Sequence, residues 1–268
     1  MWSIKGGVSR GKSVDKLKIV VASDVQWPFI NRKADDALNK FLSDFKPDIF
    51  VMNGDGIDFP TISDYDRDPQ RHSSLTTEIT SFKNDYLKVK SSILGPNCTK
   101  HYNAGNHEDR LRRYLWRKAP QLTGIVDLET LLDLQVDNWG YTEYHNPINK
   151  SGRLGIDIEG LLIVHGYQVR KHSGESARAA YLQFGGSGVV GHTHRIGTYI
   201  HRDYRGTYQW LEGGCMCKLE PEYAPAPDWC NGFVAGYIFH HENKPSRFDI
   251  HPVPIVHDKF IWEGKIYG

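Results

Sequence analysis

Five short apolar runs in this chain each end at a turn that carries Asp, Asn or His, usually beside glycine. The turns hold Asp24, Asp55, Asn106-His107, His165 and His192-His194. In α/β proteins the chemistry gathers at the carboxyl ends of strands, and glycine there lets the backbone turn sharply without a Cβ in the way. The pattern therefore predicts an α/β chain whose strand ends deliver polar side chains to functional positions.

The N-terminal part of the pattern predicts a β-α-β unit. Lys18–Ser23 is a β-branched run typical of a buried strand, and Asp48–Met52 is a second one. Between them Asn31 is a predicted N-cap, followed by apolar residues at helical spacing up to Phe45. Further along, we expect helices at 75–94, at about 109–118 and at 175–184, strands at 100–104 and 156–164, and antiparallel strands after Gly197. A polar stretch, Asp64–Ser74, is predicted to be a surface insertion near the site.

Length and composition favour one globular domain, residues 18–268, after an N-terminal extension of residues 1–17. No apolar run approaches the roughly 18 residues of a membrane span, and residues 1–18 lack the apolar segment of a secretory signal. We therefore expect a cytoplasmic protein without membrane contact. The net charge of +1 gives no overall electrostatic case for nucleic acid. The four cysteines match no recognised zinc spacing and are interpreted as reduced bystanders.

The side chains at the five turns suit a metal site. Carboxylate, amide and imidazole ligands together favour borderline or hard divalent ions, and the absence of cysteine from the turns argues against a closed structural zinc site. Two plainer interpretations stay open: His192 and His194 form a polar turn after a buried strand, or Asp55 and Asp58 form an Asx turn. The other histidines are interpreted as surface or core residues.

The order and spacing of the turns resemble the calcineurin-like metallophosphoesterase family over residues 18–195. The matching motifs are Asp24-Val-Gln26, Gly54-Asp-Gly-Ile-Asp58, Gly105-Asn-His-Glu108, Val164-His-Gly166 and Gly191-His-Thr-His194. The resemblance implies a four-layer α/β/β/α sandwich, in which two mixed sheets pack face to face between helices. It also implies a hydrolase of phosphate esters with two divalent metal ions, most often manganese, with iron, nickel, zinc or magnesium as alternatives.

The resemblance further implies a role for each site residue. Asp24 and His194 would ligate the first ion, Asn106, His165 and His192 the second, and Asp55 both. In such centres two ions roughly 3.5 to 4 Å apart hold the attacking hydroxide and clamp the phosphoryl oxygens. His107 would act as general acid, Asp58 would orient it, and Arg110 would bind the substrate phosphate together with Asn106 and His107.

The first motif departs from the family, since its histidine is Gln26 here. A neutral amide is a poorer ligand than imidazole for a transition metal, so we expect one tight and one loose ion, with the first site weaker. Alternatively Gln26 is a solvent-facing turn residue without a metal contact.

For substrate, the arginines that follow Gly105–Glu108 favour a phosphodiester of nucleotide or nucleic-acid type. A solvated helix face is the plainer interpretation of the run from Arg110 to Lys118. A phosphomonoesterase and a catalytically weakened metal-binding protein are the alternative functions. The sequence predicts no oligomeric state.

Overall fold

The structure of the chain, a computed structural model, describes residues 15–64, 74–144, 155–220, 227–241 and 244–268. Most of the predicted N-terminal extension and of the predicted insertion at 64–74 lies outside the described residues. The division into residues 1–17 and 18–268 therefore stays a prediction. In the described part, no helix is both long enough and apolar enough to cross a membrane.

Helices and strands alternate through the first two thirds of the described chain, and strands dominate the last third. In chain order the elements are β1 Asp15–Ala22, α1 Arg32–Phe45, β2 Ile49–Asn53, α2 Leu75–Phe82, α3 Lys88–Leu94, β3 Thr99–Asn103, α4 Asp109–Lys118, α5 Leu128–Leu131, β4 Trp139–Thr142, β5 Ile156–Ile158, β6 Leu161–Val164, α6 Glu175–Phe184, β7 Ser187–Val190, β8 Ile196–Arg202, β9 Thr207–Gly213, β10 Gly232–His241, β11 Lys244–Pro254, β12 Phe260–Trp262 and β13 Lys265–Tyr267.

The strands form two large mixed sheets and a short hairpin. One sheet has the order β11-β10-β1-β2-β3-β4, and the other has the order β5-β6-β7-β9-β8. Strands β1 to β4 run parallel in the first sheet, and β6, β7 and β9 run parallel in the second. Strands β12 and β13 pair with each other as a two-stranded hairpin.

Side-chain alternation along the strands creates the layers. In β1, Ile19 and Val21 belong to a core shared with Ile163 and Val189 of the second sheet. The intervening Val20 belongs to the core that packs against α1. On the far side of the second sheet, Leu162, Val164 and Trp210 pack against Ala177 and Ala180 of α6. Because successive residues of a strand point to opposite faces, each sheet is covered on both sides. The predicted four-layer α/β/β/α sandwich is confirmed.

Most helices and strands that were predicted from a single segment of the sequence are present in the structure. The Asn31 side chain accepts a hydrogen bond from the backbone N–H of Ala34, as expected of the N-cap of α1. The predicted helix over 75–94 is helical throughout, but a π-helical segment, Lys83–Leu87, separates α2 from α3. The strand residues predicted over 156–164 form two strands, β5 and β6, which a turn at Glu159-Gly160 joins into a hairpin.

Pairings after Gly197 were predicted only in part. Strand β8 is antiparallel to β9, and β10 is antiparallel to β11, as expected. Strand β9, however, pairs in parallel with β7, and β10 returns to pair with β1 at the start of the chain. These distant pairings join the C-terminal part of the chain to both sheets.

Candidate metal centre

The site lies where the parallel strands of both sheets end. Asp24 follows β1, Asp55 follows β2, and the segment Asn106–Glu108 follows β3; His165 follows β6, and His192 and His194 follow β7. The backbone φ is positive at Asp24, Gln26, Asp55, His192 and His194, between 49° and 68°. Residues other than glycine rarely adopt this left-handed conformation, and such strain clusters at functional sites. The folded chain therefore holds these turns in an unfavourable backbone geometry at one edge of the molecule.

One ligand group is built around Asp55. Its Oδ2 lies 3.2 Å from His165 Nε2. The ligand atoms of Asp55, His165 and His192 all lie within 4.8 Å of one another, and Asn106 Oδ1 lies 3.2 Å from His165 Nε2. His165 Nδ1 donates to the Asn53 carbonyl at 2.8 Å, which leaves Nε2 as the nitrogen that faces the group.

Close packing around Asp55 explains two of the glycines. A Cβ on Gly105 would lie 2.6 Å from the backbone nitrogen of Asp55 and 2.8 Å from His165 Nε2. A Cβ on Gly54, whose φ is +84°, would overlap the His165 ring. Glycine at both positions lets the two loops approach closely enough to bring these ligands together.

A second ligand group contains Asp24, Gln26 and His194. His194 Nε2 lies 3.1 Å from Asp24 Oδ1 and 3.1 Å from the Gln26 amide nitrogen. Gln26 is 6% exposed, so it is a buried neighbour of His194 and not the solvent-facing turn residue of the alternative interpretation. Rotation of the Gln26 amide group would present its oxygen to the same point.

His107, Asp58 and Arg110 form a third group beside Asp55. His107 Nδ1 lies 2.6 Å from Asp58 Oδ1, while its Nε2 lies 3.5 Å from Asp55 Oδ2. Arg110 Nη1 donates to the Asp58 carbonyl at 2.5 Å, and Arg110 Nη2 lies 3.2 Å from His107 Nε2. The Asp58 carboxylate therefore contacts one ring nitrogen of His107, and the other ring nitrogen faces Asp55.

The carboxylates set the charge of the imidazoles. Burial lowers the pKa of His165, but the Asp55 and Asp24 carboxylates outweigh burial and raise it to about 9. Burial likewise lowers the pKa of His194, and the nearby Asp24 carboxylate raises it to about 10. For His192, burial and the charge of His165 act together and lower the pKa to about 4. Positive charge is thus stabilised beside each of the two aspartates.

Glu108 supports the site, a role that was not predicted from the sequence. Its Oε2 accepts from the backbone N–H of Asp55 at 2.9 Å and of Gly105 at 2.6 Å. Its Oε1 accepts from the N–H of Gly56 and Ile57 and, at 2.5 Å, from the Tyr102 hydroxyl. A single buried carboxylate thus fixes the loops that carry Asp55 and Asn106. Its place beside His107 in the Gly105–Glu108 motif was the available signal.

Two cysteines lie beside the group formed by Asp24, Gln26 and His194. Cys217 Sγ is 3.8 Å from His194 Nδ1, and the ligand atoms of His194, Cys215 and Cys217 all lie within 4.8 Å of one another. All four cysteines are free, as predicted. The structure places Cys215 and Cys217, which we interpreted as bystanders, next to a candidate metal ligand. No local spacing rule indicates the contact, because 23 residues separate Cys217 from His194.

The remaining predicted positions lie in the core, on α4 or at the site. His101 is buried and hydrogen-bonded to Thr142, as expected of a core histidine. On α4, Arg112 and Arg113 both pair with Asp109, and Arg117 pairs with Asp64. These arginines are therefore partly neutralised within the chain, and Arg110 is the member of the run that contacts His107.

Both ligand groups suit divalent cations. Asp24 Oδ1 is buried and has no hydrogen-bond donor among the described residues, yet it faces a ring nitrogen of His194. In the Asp55 group, carboxylate, amide and imidazole atoms converge, and both Asp55 and His165 are buried. Burying these acceptors together is costly unless a cation or proton lies between them. Fold and site together define a two-sheet α/β sandwich with a candidate metal centre at the ends of its parallel strands.

Comparison with known proteins gives the family. The calcineurin-like phosphoesterase family matches residues 17–196, and the chain belongs to this family. Membership implies a hydrolase that acts on phosphate esters with divalent metal ions.

The chain is also similar over most of its length to the Gene 54 proteins of two mycobacteriophages. It is 29% identical to that of Mycobacterium phage D29 over 274 residues, covering 93% of this chain and 98% of the relative. Identity to that of Mycobacterium phage L5 is 28% over 277 residues, with the same coverage.

Solved structures with a similar fold include a Vps29 single mutant from Entamoeba histolytica, with 14% identity, a TM-score of 0.40, and coverage of 94% of this chain and 100% of that one. A metallophosphoesterase from Sphaerobacter thermophilus has 17% identity and a TM-score of 0.38, covering 82% of this chain and 83% of that one.

Proposed function

We propose that the chain hydrolyses a phosphodiester of nucleotide or nucleic-acid type, with two divalent ions held by the Asp55 and Asp24 groups. The observation that carries the proposal is the convergence of Asp55, His165 and His192 ligand atoms within 4.8 Å, with His107 Nε2 3.5 Å from Asp55. Asp55, Asn106, His165 and His192 would hold one ion, and Asp24, His194 and Gln26 the other, with Asp55 shared between them. Ions bound there would polarise a phosphoryl oxygen and lower the pKa of a water molecule.

His107 is the proposed general acid. The 2.6 Å contact between its Nδ1 and Asp58 supports this role, because an acidic partner fixes the ring and favours a proton on it. The pKa of His107 is raised: burial lowers it, but the Asp55 and Asp58 carboxylates outweigh burial. In the proposal His107 gives its Nε2 proton to the leaving oxygen, and Asp58 holds the ring in place.

Arg110 and Asn106 are proposed to bind the substrate phosphate. Arg110 Nη2 lies 3.2 Å from His107 Nε2, so a phosphate that reaches His107 also comes within reach of the guanidinium. Asn106 directly precedes His107 in the sequence, and its side-chain oxygen faces His165. Together they would orient the phosphate while His107 faces the leaving group.

The preference for a diester follows from charge. Aspartates pair with Arg112, Arg113 and Arg117. Among the described residues, Arg110 is the arginine of α4 that contacts His107. A diester carries less negative charge than a monoester and requires fewer cationic partners. A cytoplasmic location and manganese as the ion remain predictions that accompany this proposal.

A second candidate function is metal binding without turnover. Gln26 favours it, because an amide beside His194 holds a transition metal less firmly than an imidazole does. Both candidates predict metal binding, and they differ in catalysis.

The test is hydrolysis of chromogenic phosphodiesters and phosphomonoesters by the full chain with Mn²⁺, with and without chelator. We expect diester turnover that the chelator abolishes and that His107→Gln lowers by about 10² to 10⁴. The matched control is His172→Gln, an exposed histidine whose replacement should leave the rate unchanged.

Each other outcome has a defined meaning. Turnover of monoesters alone would overturn the substrate assignment. A rate insensitive to chelator or to His107→Gln would overturn the mechanism. Absence of turnover with metal still bound would favour the non-catalytic candidate, and Gln26→His is then the variant in which to look for activity.

A further inference from the structure

The group formed by Cys215, Cys217 and His194 Nδ1 has no part in the proposed hydrolysis. Its three ligand atoms lie within 4.8 Å of one another. All three residues are at most 5% exposed. Thiolate and imidazole are the ligands that zinc and other soft cations prefer, whereas the neighbouring aspartates suit harder ions.

The sulfur of Cys217 differs from the other three in its partner. The thiols of Cys98, Cys215 and Cys230 each lie within hydrogen-bonding reach of a backbone carbonyl oxygen, at 3.7, 3.6 and 3.5 Å. Cys217 Sγ instead faces His194 Nδ1 at 3.8 Å. Ligands around a tetrahedral ion with bonds of about 2.0 to 2.3 Å are separated by distances of this size.

The backbone holds the two cysteines in place from several sides. The Met216 N–H, between them, donates to the carbonyls of Ser23 and Asp24, and its carbonyl accepts from Asn31. The Asn231 side chain donates to the carbonyls of both cysteines, at 3.1 and 2.7 Å. A ligand pair fixed in this way loses little conformational freedom when a cation binds.

The ring of His194 separates this group from the proposed catalytic ions. Nε2 faces Asp24 and Gln26 at 3.1 Å, and Nδ1 faces Cys217. The two nitrogens of one imidazole can therefore serve two different cations, one among oxygen ligands and one among sulfur ligands.

We propose that Cys215 Sγ, Cys217 Sγ and His194 Nδ1 form a binding site for a thiophilic divalent cation of the zinc type, distinct from the oxygen-rich centre. Two cysteines and one histidine are a ligand set that zinc uses with a fourth position left for another ligand. A soft cation bound there would lie next to the proposed ion at Asp24 and His194, whose binding we expect Gln26 to weaken.

The test is titration of the reduced, chelator-treated full chain with Cd²⁺, followed by sulfur-to-cadmium charge-transfer absorption. We expect the absorption to saturate at a single thiolate-bound ion per chain and to be lost in Cys217→Ser and Cys215→Ser. Cys98→Ser and Cys230→Ser are the matched controls and should retain it. Asp55→Asn should also retain it, which separates this site from the catalytic proposal.

Absence of the absorption in the unmodified chain, or its persistence in Cys217→Ser, would overturn the proposal. If a serine variant fails to fold, X-ray absorption of the zinc-loaded unmodified chain decides the question. Sulfur neighbours at about 2.3 Å from zinc support the site, and a shell of only nitrogen and oxygen contradicts it.

Discussion

Replacement of Glu108 by glutamine should loosen the metal centre from within, although Glu108 is not itself a proposed ligand. The carboxylate accepts hydrogen bonds at both oxygens, with Oε1 receiving the Gly56 and Ile57 N–H groups and Oε2 those of Asp55 and Gly105. Glutamine keeps one oxygen and puts an NH₂ group where the other was. That group would face two buried N–H donors that it cannot accept from.

The size of the effect follows from those two lost bonds. A hydrogen bond to a charged group contributes about 1.5 to 3 kcal/mol, so two lost bonds correspond to about 3 to 6 kcal/mol. Burial and the Asp55 charge raise the pKa of Glu108, which means that ionising it in the fold is already costly. Glutamine avoids that cost, and we expect a loss of about 3 kcal/mol in the free energy of unfolding. Affinity for Mn²⁺ should fall by about 10- to 100-fold, as when a residue that orients a metal ligand is removed.

Urea unfolding of the metal-free chain measures the first quantity, and Mn²⁺ binding followed by electron paramagnetic resonance measures the second. Glu159→Gln is the matched control, because Glu159 contacts a half-exposed His240 at the surface. It should change the free energy of unfolding by less than about 1 kcal/mol. If Glu108→Gln is as stable as the unmodified chain and binds Mn²⁺ equally well, Glu108 does not organise the Asp55 loop.

Three other predictions concern the neighbourhood of the site. Gln26→His should tighten the weaker of the two Mn²⁺ sites in a binding titration, and unchanged affinity would mean that residue 26 does not face the ion. Gly105→Ala should abolish tight Mn²⁺ binding, because its Cβ would lie 2.6 Å from the Asp55 nitrogen, whereas Gly206→Ala, with its nearest atom at 3.8 Å, should not. Burial lowers the pKa of His101 to about 4, against about 6.5 when unfolded, so the unfolded chain binds the proton first as pH falls. His101 should therefore reduce the free energy of unfolding by about 3 kcal/mol between pH 6.5 and 4, and the His101→Gln chain should lack this part of the pH dependence.

The sequence was informative about the site because each site turn is a local pattern. An apolar run followed by a glycine-flanked Asp or His predicts a strand and the polar residue at its end, and parallel strands bring such ends to one edge. Asp24, Asp55 and His165 were predicted at strand ends, and the structure brings them to the same edge. The resemblance to a family supplied the second sheet, which local patterns do not contain.

What escaped prediction depends on contacts between distant parts of the chain. Cys217 reaches His194 only because its segment hydrogen-bonds to the loop after β1 and to the segment at Asn231. Strand β10 pairs with β1, more than 200 residues earlier. Register and partner choice of this kind are set by the packing of the whole sandwich, and a pattern within one segment does not encode them.

Anomalous diffraction from crystals of the chain grown with Mn²⁺ and phosphate would locate the proposed ions. We expect two manganese peaks about 3.5 to 4 Å apart, one at Asp24 and His194, the other at His165 and His192, with Asp55 touching both. A phosphate oxygen should lie within reach of His107 and Arg110. Peaks that avoid Asp55, or no peak at either group, would contradict the proposed two-ion centre.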